Sequence, residues 1–121
     1  MIILITGANG GIGQALARQF LSADPEHRVI LGVRSRRESA EAIIADSGGR
    51  AEPAELDVTD PAAWLRTVED IVERHGRLDV LVNNAGGSVS KPFLDTTVRQ
   101  LESSFHFNVS SPFELSRLAV P

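Results

Sequence analysis

The residues whose types and spacing could do chemistry begin at Thr6-Gly7-Ala8-Asn9-Gly10-Gly11-Ile12-Gly13. An apolar run from Met1 to Ile5 precedes them, and Ile12, Ala15, Leu16 and Phe20 recur at helical spacing after them. A strand that turns into a helix through glycines aims unpaired backbone N–H groups and the positive end of the helix dipole at one point. That point suits an anion. The dipole end alone contributes about 0.3–1 kcal/mol to an exposed negative group, so several N–H bonds must add to it. Gly7 suits the tight turn, Gly11 gives a pyrophosphate close approach to the backbone, and Gly13 lets helix and strand pack closely. Gly7, Asn9, Gly11, Ile12 and Gly13 are therefore candidate contacts for a dinucleotide. A glycine-rich turn that binds nothing is the plainer alternative.

A second group stands at Gly32-Val33-Arg34-Ser35. A site for NAD places a carboxylate at the end of the second strand to hold the ribose hydroxyls, and that carboxylate would repel a 2′-phosphate. No acid occupies this place. A guanidinium grips a phosphate with paired hydrogen bonds, and a serine adds a hydroxyl, so Arg34 and Ser35 favour NADP over NAD. Arg36 and Arg37 read as a solvated basic surface. Asp57-Val58 and Asn83-Asn84-Ala85-Gly86 also follow apolar segments. Taken alone, Asp57 suits the start of an Asx turn, and the paired asparagines suit a turn because Asn tolerates left-handed geometry. Asn108 falls mid-helix, where asparagine is a poor former. His27, His75 and His106 are scattered without metal-ligand spacing, and cysteine is absent, so no metal site is expected.

The elements that must position these residues alternate along the chain. Apolar runs at Met1–Ile5, Val29–Val33 and Leu78–Val82 predict buried strands, and Ala51–Leu56 predicts a third in chain order. Pro53 assigns that one to an edge. Helices are expected from about Ile12 to Ser22 or Ala23, and from about Ser35 to Asp46 with Ala40, Ile43 and Ile44 inward. A third should start after an Asp60 N-cap with Pro61 at its first position and stop at Gly76. Trp64, Leu65, Val68, Ile71 and Val72 give it an apolar stripe. The last helix runs from about Thr97 to Val120, with Val98, Leu101, Phe105 and Val109 on one face. Pro112 should bend or split it near Asn108. This alternation predicts an α/β fold, a Rossmann-type doubly wound parallel sheet truncated after about four strands. Residues 1–121 are expected to form one NAD(P)-binding domain, incomplete at its C-terminus, with a bare edge on the fourth strand. Ligands in such sheets lie beyond the carboxyl ends of the strands, where the glycine turn, Arg34, Asp57 and Asn83 to Gly86 all converge.

The pattern T-G-x-x-x-G-x-G, with N-N-A-G after a later strand, resembles the short-chain dehydrogenase/reductase family over essentially the whole chain. The resemblance implies that Asp57 and Val58 contact the adenine amino group. It implies that Asn83, Asn84, Ala85 and Gly86 brace the central strands and lie along the cofactor ribose. An uncharged residue followed by Arg, as in Val33-Arg34, usually accompanies NADP in that family. Phe107-Asn108-Val109 matches the helix that carries the asparagine of the family's Asn, Ser, Tyr and Lys set, where Asn108 would hold a water in a proton relay. The partners do not follow: there is no tyrosine, the single lysine is Lys91, and Ser110, Ser111 and Ser116 share the helix of Asn108. Hydride transfer to a carbonyl leaves an alkoxide that needs a positioned acid, and the family uses a tyrosine whose pKa of about 10 is lowered by lysine.

These readings imply the amino-terminal half of an NADP(H)-dependent oxidoreductase acting on a secondary alcohol or ketone, itself inactive without the missing Tyr and Lys. The complete enzyme is expected to take a small-molecule carbonyl or alcohol substrate and to be a homo-oligomer. A non-catalytic nucleotide-binding or interaction module is the alternative. With 121 residues the chain fits one domain, and a net charge of -4 argues against nucleic-acid or membrane-surface binding. No apolar run approaches a membrane span or a signal peptide, and a cytoplasmic setting follows as the default.

Overall fold

Ile2-Ile3-Leu4-Ile5-Thr6 carries no residue that prefers water on either side of a strand. In the computed structural model, which describes residues 1–120, it forms β1 (Ile2–Thr6), buried along its whole length. It lies inside a four-stranded parallel sheet of order β3-β2-β1-β4, with β2 (Arg28–Val33), β3 (Ala51–Glu55) and β4 (Val80–Val82). Ile3 faces Val29 on one side and Val80 on the other. Successive side chains of β1 leave the sheet on opposite faces, so each face needs its own cover. Helices α1 (Gly11–Ala23) and α2 (Glu38–Asp46) supply one through Ala17, Leu21 and Ile43, which meet Ile3, Ile5 and Leu31. Helix α3 (Pro61–His75) supplies the other through Ile71 against Leu4 and Ile30. Each fully buried isoleucine or leucine contributes roughly 1.5–3 kcal/mol.

Pro53 sits opposite Leu31 on the edge strand β3, where its missing N–H costs the sheet nothing. Ladder pairing of β4 begins at Val80 and not at Leu78. Asp79 is still tied in, because its backbone N–H donates to the Ile2 carbonyl and its carboxylate accepts from the Ile2 N–H at 2.7 Å.

The ends of α3 follow their capping residues. Asp60 accepts from the Ala62 N–H, Pro61 opens the helix, and Gly76 closes it at φ 78°. The buried face is Trp64, Thr67 and Ile71, whereas Leu65 and Val72 are exposed. Thr67 can be buried because its hydroxyl donates to the Ala63 carbonyl at 2.8 Å. Helix α2 starts at Glu38, three residues after the expected Ser35, because Arg36 adopts φ 55°, a left-handed conformation no α-helix continues through.

The last helical stretch is split as Pro112 requires. Helix α4 (Val98–Phe105) passes through a π turn (His106–Ser110) into α5 (Ser111–Ala119), and Pro112 falls in the first turn of α5, where a missing N–H is tolerated. Thr97 and Gln100 form a reciprocal capping box at the start of α4. The stripe Val98, Leu101, Phe105 and Val109 is exposed by 69, 65, 59 and 48%. A different face packs inward, with Ser111 and Leu115 buried and Phe107 and Leu118 beside them. Helix α5 ends at Ala119, and Pro121 lies outside the described residues. Among the described residues no helix is long and apolar enough to cross a membrane.

Candidate functional site

Beyond the carboxyl ends of the strands, the turn from β1 to α1 meets the loop after β4. Gly7 has φ 62°, and a Cβ there would come within 2.9 Å of the Ala85 Cα. At Gly13 a Cβ would lie 2.7 Å from the Gly7 carbonyl oxygen and 2.9 Å from Ala8 Cα. Gly11 differs, since a Cβ there would meet nothing within 4 Å, and it lines the open cleft described below. The Thr6 hydroxyl accepts from the N–H groups of Asn84 (3.0 Å) and Ala85 (2.9 Å) and donates to the Val82 carbonyl. The Asn84 amide donates to the Gly7 carbonyl at 3.1 Å, and the Ala8 N–H donates to Gly32 of β2. Strand, turn and loop are thereby fixed to one another.

Arg34 leaves the end of β2 exposed, and among the described residues it has no ion-pair partner at contact distance. Asp57, at the end of β3, forms an Asx turn: its Oδ1 accepts from the Thr59 hydroxyl at 2.6 Å and the Thr59 N–H at 2.9 Å. The hydroxyl bond, then the backbone bond, hold the carboxyl below the usual carboxylate range; burial opposes them, and the Arg34 charge adds a smaller push downward. Val58 is held from beneath, since the buried indole N–H of Trp64 donates to its carbonyl at 2.7 Å.

Together these groups enclose a cleft of about 380 Å³. Gly7, Asn9, Gly11 and Ile12 line it from the first turn, Arg34, Asp57 and Val58 from the ends of β2 and β3, and Asn84, Ala85 and Gly86 from the loop after β4. Gly13, Ser35, Asn83 and Asn108 do not. Gly13 lies behind the turn against backbone, and the Ser35 carbonyl accepts from the Asn9 amide at 3.4 Å. Asn83 turns toward α5 and donates to the Ser116 hydroxyl at 3.0 Å. Gly10, Leu56 and Phe107 line the cleft without having been singled out in the sequence. Phe107 carries a signal in retrospect, because it lies four and eight residues before the buried Ser111 and Leu115.

Asn108 sits in the π turn, and its side chain is tied to the loop after β4. Its Oδ1 accepts from the Gly87 N–H at 2.9 Å, while its Nδ2 donates to the carbonyls of Gly87 and Ser104, each at 2.8 Å. The amide braces the loop after β4. Single π turns inside helices occur frequently at functional sites.

Turn glycines that no side chain could replace, open space at Gly11 and an unpaired guanidinium with no acid at the end of β2 fit a dinucleotide. Among the described residues no cluster of His, Cys, Asp or Glu could hold a metal ion. The family model for short chain dehydrogenases matches residues 1–121. The chain belongs to the short-chain dehydrogenase family. It is 35% identical to a fatty acyl-CoA reductase of Mycobacterium tuberculosis over 98% of its own length and 41% of that protein. It is 31% identical to the 7alpha-hydroxysteroid dehydrogenase of Bacteroides fragilis over 99% of its length and 48% of the relative. A crystal structure of a short-chain dehydrogenase from Streptomyces avermitilis superposes with a TM-score of 0.88 at 38% identity, covering 99% of this chain and 44% of that one. The structure of ElxO with NADP bound gives a TM-score of 0.87 at 30% identity, covering 98% and 48%. This short-chain dehydrogenase chain thus spans about half the length of the relatives it matches.

Proposed function

We propose that the chain is the cofactor-binding half of an NADP(H)-dependent oxidoreductase that interconverts a secondary alcohol and a ketone. The observation that carries this reading is Arg34, unpaired on the wall of the cleft at the place where an NAD site would present a carboxylate. In this reading the N–H groups around Gly10 and Gly11 hold the pyrophosphate, and Arg34 grips the 2′-phosphate. Asp57 offers its remaining oxygen to the adenine amino group, while Asn84 to Gly86 border the ribose. When bound, the nicotinamide supplies the hydride. The relative whose structure contains NADP supports the choice of coenzyme.

The 121 residues contain no tyrosine, so the phenol that would protonate an alkoxide in this family has to come from outside them. We infer that this chain alone binds nucleotide weakly or not at all and does not turn over substrate. The same observation favours a second reading, a non-catalytic nucleotide-binding module. Ketone reduction by the chain, with NADPH consumption followed by its absorbance, separates the two from an active enzyme, and any turnover overturns both.

The test of the coenzyme is a fluorescence titration with NADPH and NADH. NADPH is expected to bind more tightly, and Arg34→Asp is expected to weaken it by about tenfold or more, as loss of a charge-assisted contact does. A preference for NADH in the unchanged chain overturns the assignment of Arg34.

A further inference from the structure

The loop that leaves β4 and the helix it enters enclose a second cavity, of about 640 Å³. The loop is pinned at both ends: the Asn108 amide clasps the Gly87 backbone at 2.9 and 2.8 Å, and Thr97 and Gln100 cap α4 reciprocally. Between these anchors the Thr96 hydroxyl and the Asp95 N–H both donate to the Pro92 carbonyl at 3.0 Å. Val89, Leu101 and Phe107 give the cavity apolar walls, and Phe107 also lines the cleft that contains Arg34. A concavity of this size, mostly apolar with a few polar groups, has the usual form of a small-molecule site.

Its charge is one-sided. Lys91 and Arg99 are the charged residues of the lining and no carboxylate joins them, although the chain as a whole carries a net charge of -4. Asp95 and Glu102 lie close to Arg99 in sequence but do not line the cavity. Among the described residues neither Lys91 nor Arg99 has an ion-pair partner at contact distance. Two unpaired cations beside apolar walls complement a molecule with one anionic end and an apolar body. The capping box already engages the N–H groups of Thr97 and Gln100, so an anionic head here meets two side chains rather than a nest of amides. That suits the two oxygens of a carboxylate better than the three of a phosphate monoester.

Independently of the nucleotide reading, we propose that this cavity is a second binding site, which takes an aliphatic carboxylate with its head on Lys91 and Arg99 and its chain against Val89, Leu101 and Phe107. The probe is octanoate, titrated into the isotope-labelled chain and followed by amide chemical shifts, with hexanoate, octanol and octyl phosphate beside it. Octanoate is expected to shift amides between Gly87 and Phe107 and to bind about tenfold more tightly than hexanoate, as two further buried methylenes predict. It should also bind more tightly than octanol or octyl phosphate. Lys91→Gln and Arg99→Gln should each weaken it about threefold, as loss of an exposed ion pair does. Both positions are exposed, so the melting temperature should hold. Lys91→Glu combined with Arg99→Glu is expected to lose octanoate and to bind octylammonium instead, a reversal that no loss of folding would produce. Octanol binding as tightly as octanoate, octyl phosphate binding more tightly, or octanoate retained when both cations are replaced by glutamine overturns the proposal. So do shifts confined to the glycine turn, failure of the folded, unchanged chain to bind octanoate, and concentration-dependent shifts of the same amides without any probe, which would place a second copy in the cavity. None of these outcomes touches the nucleotide reading.

Discussion

Strands β1 and β4 lie side by side in one sheet, yet only one of them is finished on all sides. All five residues of β1 are buried, with strands at both edges and helices over both faces. None of the three residues of β4 is fully buried, because it pairs with β1 alone. The same contrast runs outward: α1 and α2 seat their apolar residues in the core, whereas α4 turns Val98, Leu101 and Phe105 to the outside. The side of the cleft built on β1 and β2 therefore rests on a closed core, and the side built on the loop after β4 and on the π turn lies next to the exposed apolar residues of α4. A parallel strand normally has cover on both faces and both edges, and β4 lacks it on one edge.

The sharpest way to break this comparison is to remove volume from the closed side. Ile5→Ala should lower unfolding free energy by about 2–5 kcal/mol in chemical denaturation, as cavities in a packed core do. A value below 1 kcal/mol would mean that β1 is no better supported than β4. Gly13→Ala comes next, with a loss of about 1–3 kcal/mol from overpacking, because its methyl group meets backbone atoms that cannot rotate away. An ordinary exposed helix position would instead gain stability from that change.

Thr59→Val tests a smaller term, and solvent screening keeps it below about 1 kcal/mol. Asp57 has a folded pKa below its unfolded value, so its contribution is present above the ordinary carboxylate pKa and is lost as pH falls through the folded pKa. The variant should therefore melt lower than the parent at neutral pH, and the gap should close in acid. The smallest effect belongs to the open side. Leu101→Ser should change stability by no more than about 0.5 kcal/mol, since an exposed side chain leaves no cavity.

Strands β1 and β2, the edge position of β3 and both ends of α3 were legible because each rests on a local signal: an unbroken apolar run, a proline, an Asp-Pro pair, a glycine after the last turn. The glycine turn was legible for the same reason. Tertiary choices were not. The last helix carries two apolar stripes, and periodicity cannot say that Phe107, Leu115 and Leu118 pack while Val98, Leu101 and Phe105 do not. Leu65 and Val72 lost the interior of α3 to Thr67, whose hydroxyl finds a carbonyl within its own helix. The left-handed Arg36 delayed α2 without any glycine or asparagine to announce it. Residues that reach the cleft through such choices, Phe107 above all, were missed.

The Thr6 hydroxyl has a consequence for how the molecule assembles. Its donor partners, the backbone amides of Asn84 and Ala85, lie 78 and 79 positions further along the chain. Closing so long a loop is entropically costly and kinetically late, so the anion cradle cannot ripen while the rest of the polypeptide is still finding its neighbours. Recognition of phosphate is thus tied to the completion of folding itself: a chain competent to capture nucleotide is one that has already joined its first strand to its fourth.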